Sequence, residues 1–205
     1  MDVAGYINRA ARRVPPWTLY IAGFGWAAWL FWQAATGAIG VEPVNILERA
    51  YGLLSLKLLV AGLCITPLRR LAGINLLRFR RALGLTAFMF LIAHFLVFAV
   101  LDVQTLGRVV TEVVKRPYVM VGFAALVMLV PLALTSNNWS IRRMGPVAWR
   151  RLHWLVYPAA VLGGLHYVWL VKGWQLPPMV YLGIILALLA LRIRLPRAPS
   201  WVRAQ

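Results

Sequence analysis

The stretch Arg151-Leu-His-Trp-Leu-Val-Tyr-Pro-Ala-Ala-Val-Leu-Gly-Gly-Leu-His-Tyr-Val-Trp-Leu170 is apolar along nearly its whole length. It nevertheless carries His153 and His166, two of the chain's three histidines. The third, His94, sits in another apolar run, Ala82–Leu101. Imidazole in a lipid-spanning helix is costly, so it faces the protein interior and finds a partner there. A neutral imidazole is also a good axial ligand for haem iron. Three histidines inside apolar helices, with none in a loop, point to a membrane cytochrome. The competing reading is of interior histidines bonded to backbone carbonyls across a helix pair.

The chain is 62% hydrophobic, and the excess is spread along its length. A soluble domain averages roughly 45–50% apolar residues. Six apolar runs approach the roughly 20 residues that cross a bilayer. They are Trp17–Ala35, Ala50–Thr66, Ala82–Leu101, Tyr118–Leu134, Leu152–Val171 and Pro178–Leu195. The expected fold is therefore all-α, a single polytopic helix bundle over residues 1–205. The second run is the weakest, because Lys57 inside it must snorkel, pair or line a polar cavity. Pro67, Pro117 and Pro177 fall at run boundaries, whereas Pro131 and Pro158 lie inside runs and predict kinks.

Net charge is +17, which in a soluble protein would indicate nucleic acid. Here the charges lie between the apolar runs, and the positive-inside rule accounts for them without a nucleic-acid partner. Arg9, Arg12, Arg13, Arg69, Arg70, Arg78, Arg80, Arg81, Arg142, Arg143, Arg150, Arg151, Arg192, Arg194, Arg197 and Arg203 place sixteen basic residues on one side. Arg49, Arg108, Lys115, Arg116 and Lys172 place five on the other, together with Glu42, Glu48, Asp102 and Glu112. The asymmetry predicts cytoplasmic termini, with short loops on the opposite side. The N-terminal run has no small-residue cleavage site and is expected to be retained as the first span.

One cysteine, Cys64, excludes a disulfide or a cysteine-ligated cluster within the chain. There is no GxGxxG motif, no P-loop and no loop long enough for a nucleotide-binding domain. No nucleophile–base pair or catalytic cluster stands out. The expected task is thus electron transfer with no bond-making on the final substrate.

The third and fifth runs point the same way, so depths along them compare directly. His94 lies 13 residues past Arg81, and His166 lies 15 past Arg151. At about 1.5 Å per residue the two share one level in the outer half of the bilayer. His153 lies about 20 Å below His166 on an ideal helix and about 140° away around it. A kink or π-bulge at Pro158 or Gly163-Gly164 would be needed to bring both onto one face. The spacing thus offers one complete bis-histidine site and one half site.

Thr66-Pro-Leu-Arg-Arg70, Arg78-x-Arg-Arg-x-Leu-Gly84, His94, and Trp149-Arg-Arg-Leu-His-x-Leu-Val-Tyr157 with His166 beyond form a recognisable set. The chain resembles the haem-binding membrane subunit of the bacterial protein-methionine-sulfoxide reductase system. That subunit belongs to the ferric-reductase-like transmembrane group. The resemblance covers nearly the whole chain. It implies b-type haem on His94, His166 and His153, with FMN as a further cofactor. It implies electrons drawn from the quinone pool and passed to a periplasmic molybdopterin methionine-sulfoxide reductase catalytic subunit. Relatives in the wider group hold two stacked haems on four histidines; this chain has three, and Arg80 stands where the fourth is expected.

Several roles remain open at this level. His153 either ligates a second haem, bonds a propionate or caps its helix. Arg80 and Arg81 act as positive-inside anchors or as propionate partners. Trp154, Tyr157, Tyr167 and Trp169 are candidates to pack on a porphyrin. The alternatives to a partnered subunit are a free-standing ferric or quinone reductase, and a non-redox membrane protein with structural histidines.

Overall fold

A computed structural model describes residues 2–171 and 173–192. Lys172, Arg194, Arg197, Arg203 and the end of the sixth run at Leu195 lie outside the described residues. The described residues are all-α. Helices α1 (Val3–Arg13), α2 (Thr18–Ala35), α3 (Pro43–Leu71) and α4 (Arg80–Leu96) come first. They are followed by α5 (Leu106–Lys115), α6 (Pro117–Leu134), α7 (Asn138–Leu152), α8 (Val156–Leu170) and α9 (Leu176–Ala190). Short 3₁₀ turns at Leu77–Phe79 and His153–Leu155 lead into α4 and α8, and a π-helical turn, Val97–Asp102, extends α4.

Three helical segments are long and apolar enough to cross a membrane: Pro43–Leu71, Leu77–Asp102 and Pro117–Leu134. Helix α9 is a shorter apolar helix. Phe24, Trp29, Phe31 and Trp32 on α2 are exposed, as are Val127 on α6 and Ile184 and Leu186 on α9. Apolar side chains turned outward from a helical core are what a lipid-facing surface requires. The chain is a multi-pass membrane protein.

Proline and capping residues set the helix ends. Pro43 and Pro117 open α3 and α6 at the first turn, where a missing N–H costs nothing. Asn137 caps α7 by accepting from the Ser140 amide at 2.7 Å, an arrangement worth about 1 kcal/mol. The structure corrects the second run: α3 extends from Pro43 to Leu71, well beyond Ala50–Thr66, and carries a buried Pro67 inside it. Lys57 is exposed on that helix, as a snorkelling lysine is. The fifth run also begins differently, because α8 starts only at Val156, after the 3₁₀ turn that holds His153.

Two helix pairs form the frame. Helix α3 packs along α4, and α6 packs along α8, with α9 closing against α8. Leu47, Tyr51, Phe90 and Val97 make one buried cluster between α3 and α4. Leu56, Leu63, Ala160 and Ile185 make a second where α3, α8 and α9 meet. Two polar side chains inside the frame are satisfied by backbone carbonyls: Tyr51 donates to Ala27 at 2.7 Å and Ser55 to Ala87 at 2.8 Å.

At the arginine-rich end, α1 is tied to the turn between α3 and α4. The Asn8 amide group donates to the Gly73 carbonyl at 3.0 Å and accepts from the Asn75 amide at 2.8 Å. Gly73 has φ +68, a conformation that favours glycine. Arg78 donates to the Arg12 carbonyl at 2.8 Å, neutralising the negative end of α1.

Candidate haem site

His94 on α4 and His166 on α8 meet across the frame, with ring centroids 6.2 Å apart and planes at 71°. Each ring is held by the same device. The His94 Nδ1–H donates to the Glu48 carbonyl of α3 at 2.9 Å, and the His166 Nδ1–H donates to the Tyr118 carbonyl of α6 at 2.7 Å. Four residues after each of those carbonyls comes a glycine, Gly52 and Gly122. A Cβ built on Gly52 would lie 3.1 Å from His94 Nδ1, and one on Gly122 would lie 2.7 Å from His166 Nδ1. In an α-helix the amide of residue i addresses the carbonyl of residue i−4. Each imidazole therefore lies in the notch left by a missing side chain and shares the carbonyl that the glycine's own amide uses.

A backbone carbonyl can only accept, so both histidines take the Nδ1–H tautomer and keep the lone pair on Nε2. That is the arrangement in which a hydrogen bond from the ring's other nitrogen orients an imidazole for a metal. A bond from imidazole nitrogen to a first-row metal ion runs about 2.0–2.1 Å. With each ring centre roughly 1 Å behind its nitrogen, two rings on opposite sides of one ion sit about 6 Å apart. The observed 6.2 Å separation is one at which both rings could be offered to a single metal ion. Among the described residues no group of three or more His, Cys, Asp or Glu side chains converges. The remaining donors would have to come from a macrocycle, and haem supplies them.

His153 is not brought to this pair. Its Nε2 lies 3.2 Å from Thr135 Oγ1, and its ring stacks on Trp149 with centroids 3.8 Å apart. The single hydroxyl proton of Thr135 goes to the Pro131 carbonyl at 2.6 Å. His153 Nε2 must then be the donor, which gives it the opposite tautomer to the other two histidines. Trp149 completes the arrangement by donating to the Thr135 carbonyl at 2.8 Å. Both histidines of the fifth run thus face α6, but at opposite ends, Tyr118 and Thr135. No distortion at Gly163-Gly164 joins them, and the π-helical turn occurs after α4 instead.

His153 lines a cavity of about 530 Å³ at the arginine-rich end, together with Arg78, Arg80, Arg81, Trp149 and Tyr157. Leu59, Leu85, Phe88 and Leu129 supply apolar wall. Arg81 is held by Asn138 at 2.8 Å. Of the aromatic candidates, Trp154 and Trp169 are exposed, and Tyr167 packs on Tyr181 with centroids 6.2 Å apart. Gly52, Gly122 and Thr135 were not anticipated from the sequence. The usable signal for the glycines is their placement in apolar helices, each one turn beyond a carbonyl that meets a histidine.

Residues 49–164 match the model of the family described as "Ferric reductase like transmembrane component". The chain is 46% identical over 183 residues to the protein-methionine-sulfoxide reductase heme-binding subunit MsrQ of Brucella anthropi, covering 89% of this chain and 83% of that one. The subunits of the same name from Brucella ovis and Brucella canis are 46% identical over 181 residues, 88% of this chain and 82% of theirs. No solved structure matches. The chain therefore belongs to the ferric-reductase-like transmembrane family and, within it, to the group of methionine-sulfoxide reductase heme-binding subunits.

Proposed function

We propose that this chain is the haem b membrane subunit of a methionine-sulfoxide reductase, passing electrons from the quinone pool to a periplasmic molybdopterin catalytic subunit. The observation that carries the reading is the pair His94 and His166, spaced as axial ligands with both Nε2 lone pairs free. Bound there, a haem supplies reversible one-electron chemistry. The protein's part is to hold both imidazoles in one tautomer and orientation and to keep the site within a helical core. A haem held by both His94 and His166 would serve electron transfer rather than substrate binding.

The frame places this pair at the end of the bundle that carries Glu48 and Asp102, away from the arginine-rich end. With six spans over residues 1–205 and cytoplasmic termini in the inner membrane, the pair lies on the periplasmic side. His153, Arg80 and Arg81 line the cavity toward the cytoplasm, where a second cofactor, a further haem or FMN, would be held. The substrate chemistry belongs to the partner subunit. The test is reconstitution with a quinol. Methionine sulfoxide is expected to be reduced only when the catalytic subunit is added, and turnover by this chain alone would contradict the assignment.

A further inference from the structure

Helix α5 has the sequence Leu106-Gly-Arg-Val-Val-Thr-Glu-Val-Val-Lys115. At about 100° per residue, Leu106, Val109, Val110, Val113 and Val114 fall within an arc of about 140°. Arg108, Thr111, Glu112 and Lys115 fill the opposite side. The structure divides the apolar arc in two. Helix α5 packs on α6, and Val109 is buried and Val113 half-buried. Leu106, Val110 and Val114, one turn apart on the other flank, are 84%, 63% and 70% exposed. The helix is not free to roll. Val103, three residues before it, is buried. At its far end Arg116 pairs with Glu112 and donates Nη1 to the Tyr118 hydroxyl at 3.1 Å.

Both ends of α5 join membrane-crossing segments. Residues 103–105 link it to Leu77–Asp102, and Arg116 links it to Pro117–Leu134. A helix of this length reaches about 15 Å, too short to cross, so it runs along the membrane surface between two span ends. The lipid-facing surface continues on either side of it. Val100 and Leu101 at the end of one span are exposed, as are Met120 and Phe123 at the start of the next. Around α5 the order is therefore protein, open apolar stripe, polar arc. A helix at the rim of a membrane bundle meets its surroundings in that order: the bundle, the acyl chains and water. In water the stripe would be an uncovered apolar patch, and a protein docking from the aqueous side would meet the polar arc instead. We propose that α5 lies in the headgroup–acyl boundary of the leaflet at the end carrying the His94–His166 pair, with Leu106, Val110 and Val114 seated among lipid chains. Arg108 and Lys115 then stand at the level of the lipid phosphates, where cations are favoured. The seat does not depend on haem at the histidine pair.

The test is site-directed spin labelling of the full-length chain in vesicles of phosphatidylethanolamine and phosphatidylglycerol. Cys64, the one native cysteine, is first replaced as Cys64→Ala. Leu106→Cys, Val110→Cys and Val114→Cys then report on the stripe, and Arg108→Cys and Lys115→Cys on the polar arc. Dissolved oxygen relaxes nitroxides in lipid, and a water-soluble nickel chelate relaxes those in water. The stripe labels are expected to show a severalfold higher oxygen-to-nickel ratio than the arc labels, at a depth of about 5–10 Å below the phosphates. Circular dichroism checks that each labelled chain is folded; if one stripe variant fails to fold, the other two carry the comparison. Equal ratios on stripe and arc would overturn the proposal, because they would place the whole helix in water. Stripe labels shielded from both reagents would overturn it too, because they would place a second copy or another protein over α5.

Discussion

His166 rests against the bare backbone of Gly122, where a Cβ would lie 2.7 Å from its Nδ1. The ring cannot retreat without giving up the Tyr118 carbonyl that fixes its tautomer. His94 and Gly52 repeat the relationship at 3.1 Å. Two helix pairs, α3 with α4 and α6 with α8, thus present one imidazole each toward a common space by the same means.

This relationship predicts a graded effect of one methyl group. Gly122→Ala should displace His166 and lower the fraction of low-spin haem, with part of the sample becoming five-coordinate. Gly52→Ala should do the same more weakly, since a contact at 3.1 Å needs only a small adjustment. Electron paramagnetic resonance of the purified variants measures both fractions. Equal, fully low-spin spectra in the two alanine variants would count against the notch as the positioning device.

His153 predicts the reverse pattern. Its Nε2–H is committed to Thr135 and its ring to Trp149, so His153→Ala should leave the haem of the His94–His166 pair spectroscopically normal. It should still lower stability by about 1–2 kcal/mol through the lost hydrogen bond and stacking. A thermal melt in detergent followed by the Soret band reads both quantities together. Loss of the low-spin signal in a folded His153→Ala protein would place His153 at the wrong site.

Much of this arrangement is legible in the sequence. His94 and His166 fall 13 and 15 residues past their arginine clusters, and near-equal depth on parallel helices lets them face each other. The 140° offset of His153 was also readable, and the structure turns that ring to the other end of α6. The glycine notches were hidden, because a glycine in an apolar run reads first as ordinary close packing. Gly52 and Gly122 acquire meaning only once it is known which helix lies opposite. Helices α1, α5 and α7 do not stand out as apolar runs, because their apolar residues fall on one face only. In sequence Arg192 reads as a positive-inside anchor; its bonds to Tyr157 and Leu63 depend on contacts between residues far apart in sequence.

The sixteen-to-five division of basic residues predicts the sidedness of the bundle. Cysteines introduced at Glu42 and Glu112 should react with an impermeant thiol reagent in intact spheroplasts, and one at Arg142 should react only after lysis. The opposite labelling pattern would invert the proposed direction of electron flow.

The central claim is that His94 and His166 are the two axial ligands of one low-spin haem b. Electron paramagnetic resonance of the purified His94→Ala and His166→Ala proteins tests it most directly, with folding checked by circular dichroism. Each single substitution is expected to abolish the low-spin signal of that haem in a folded protein. A normal low-spin spectrum in either variant would contradict it.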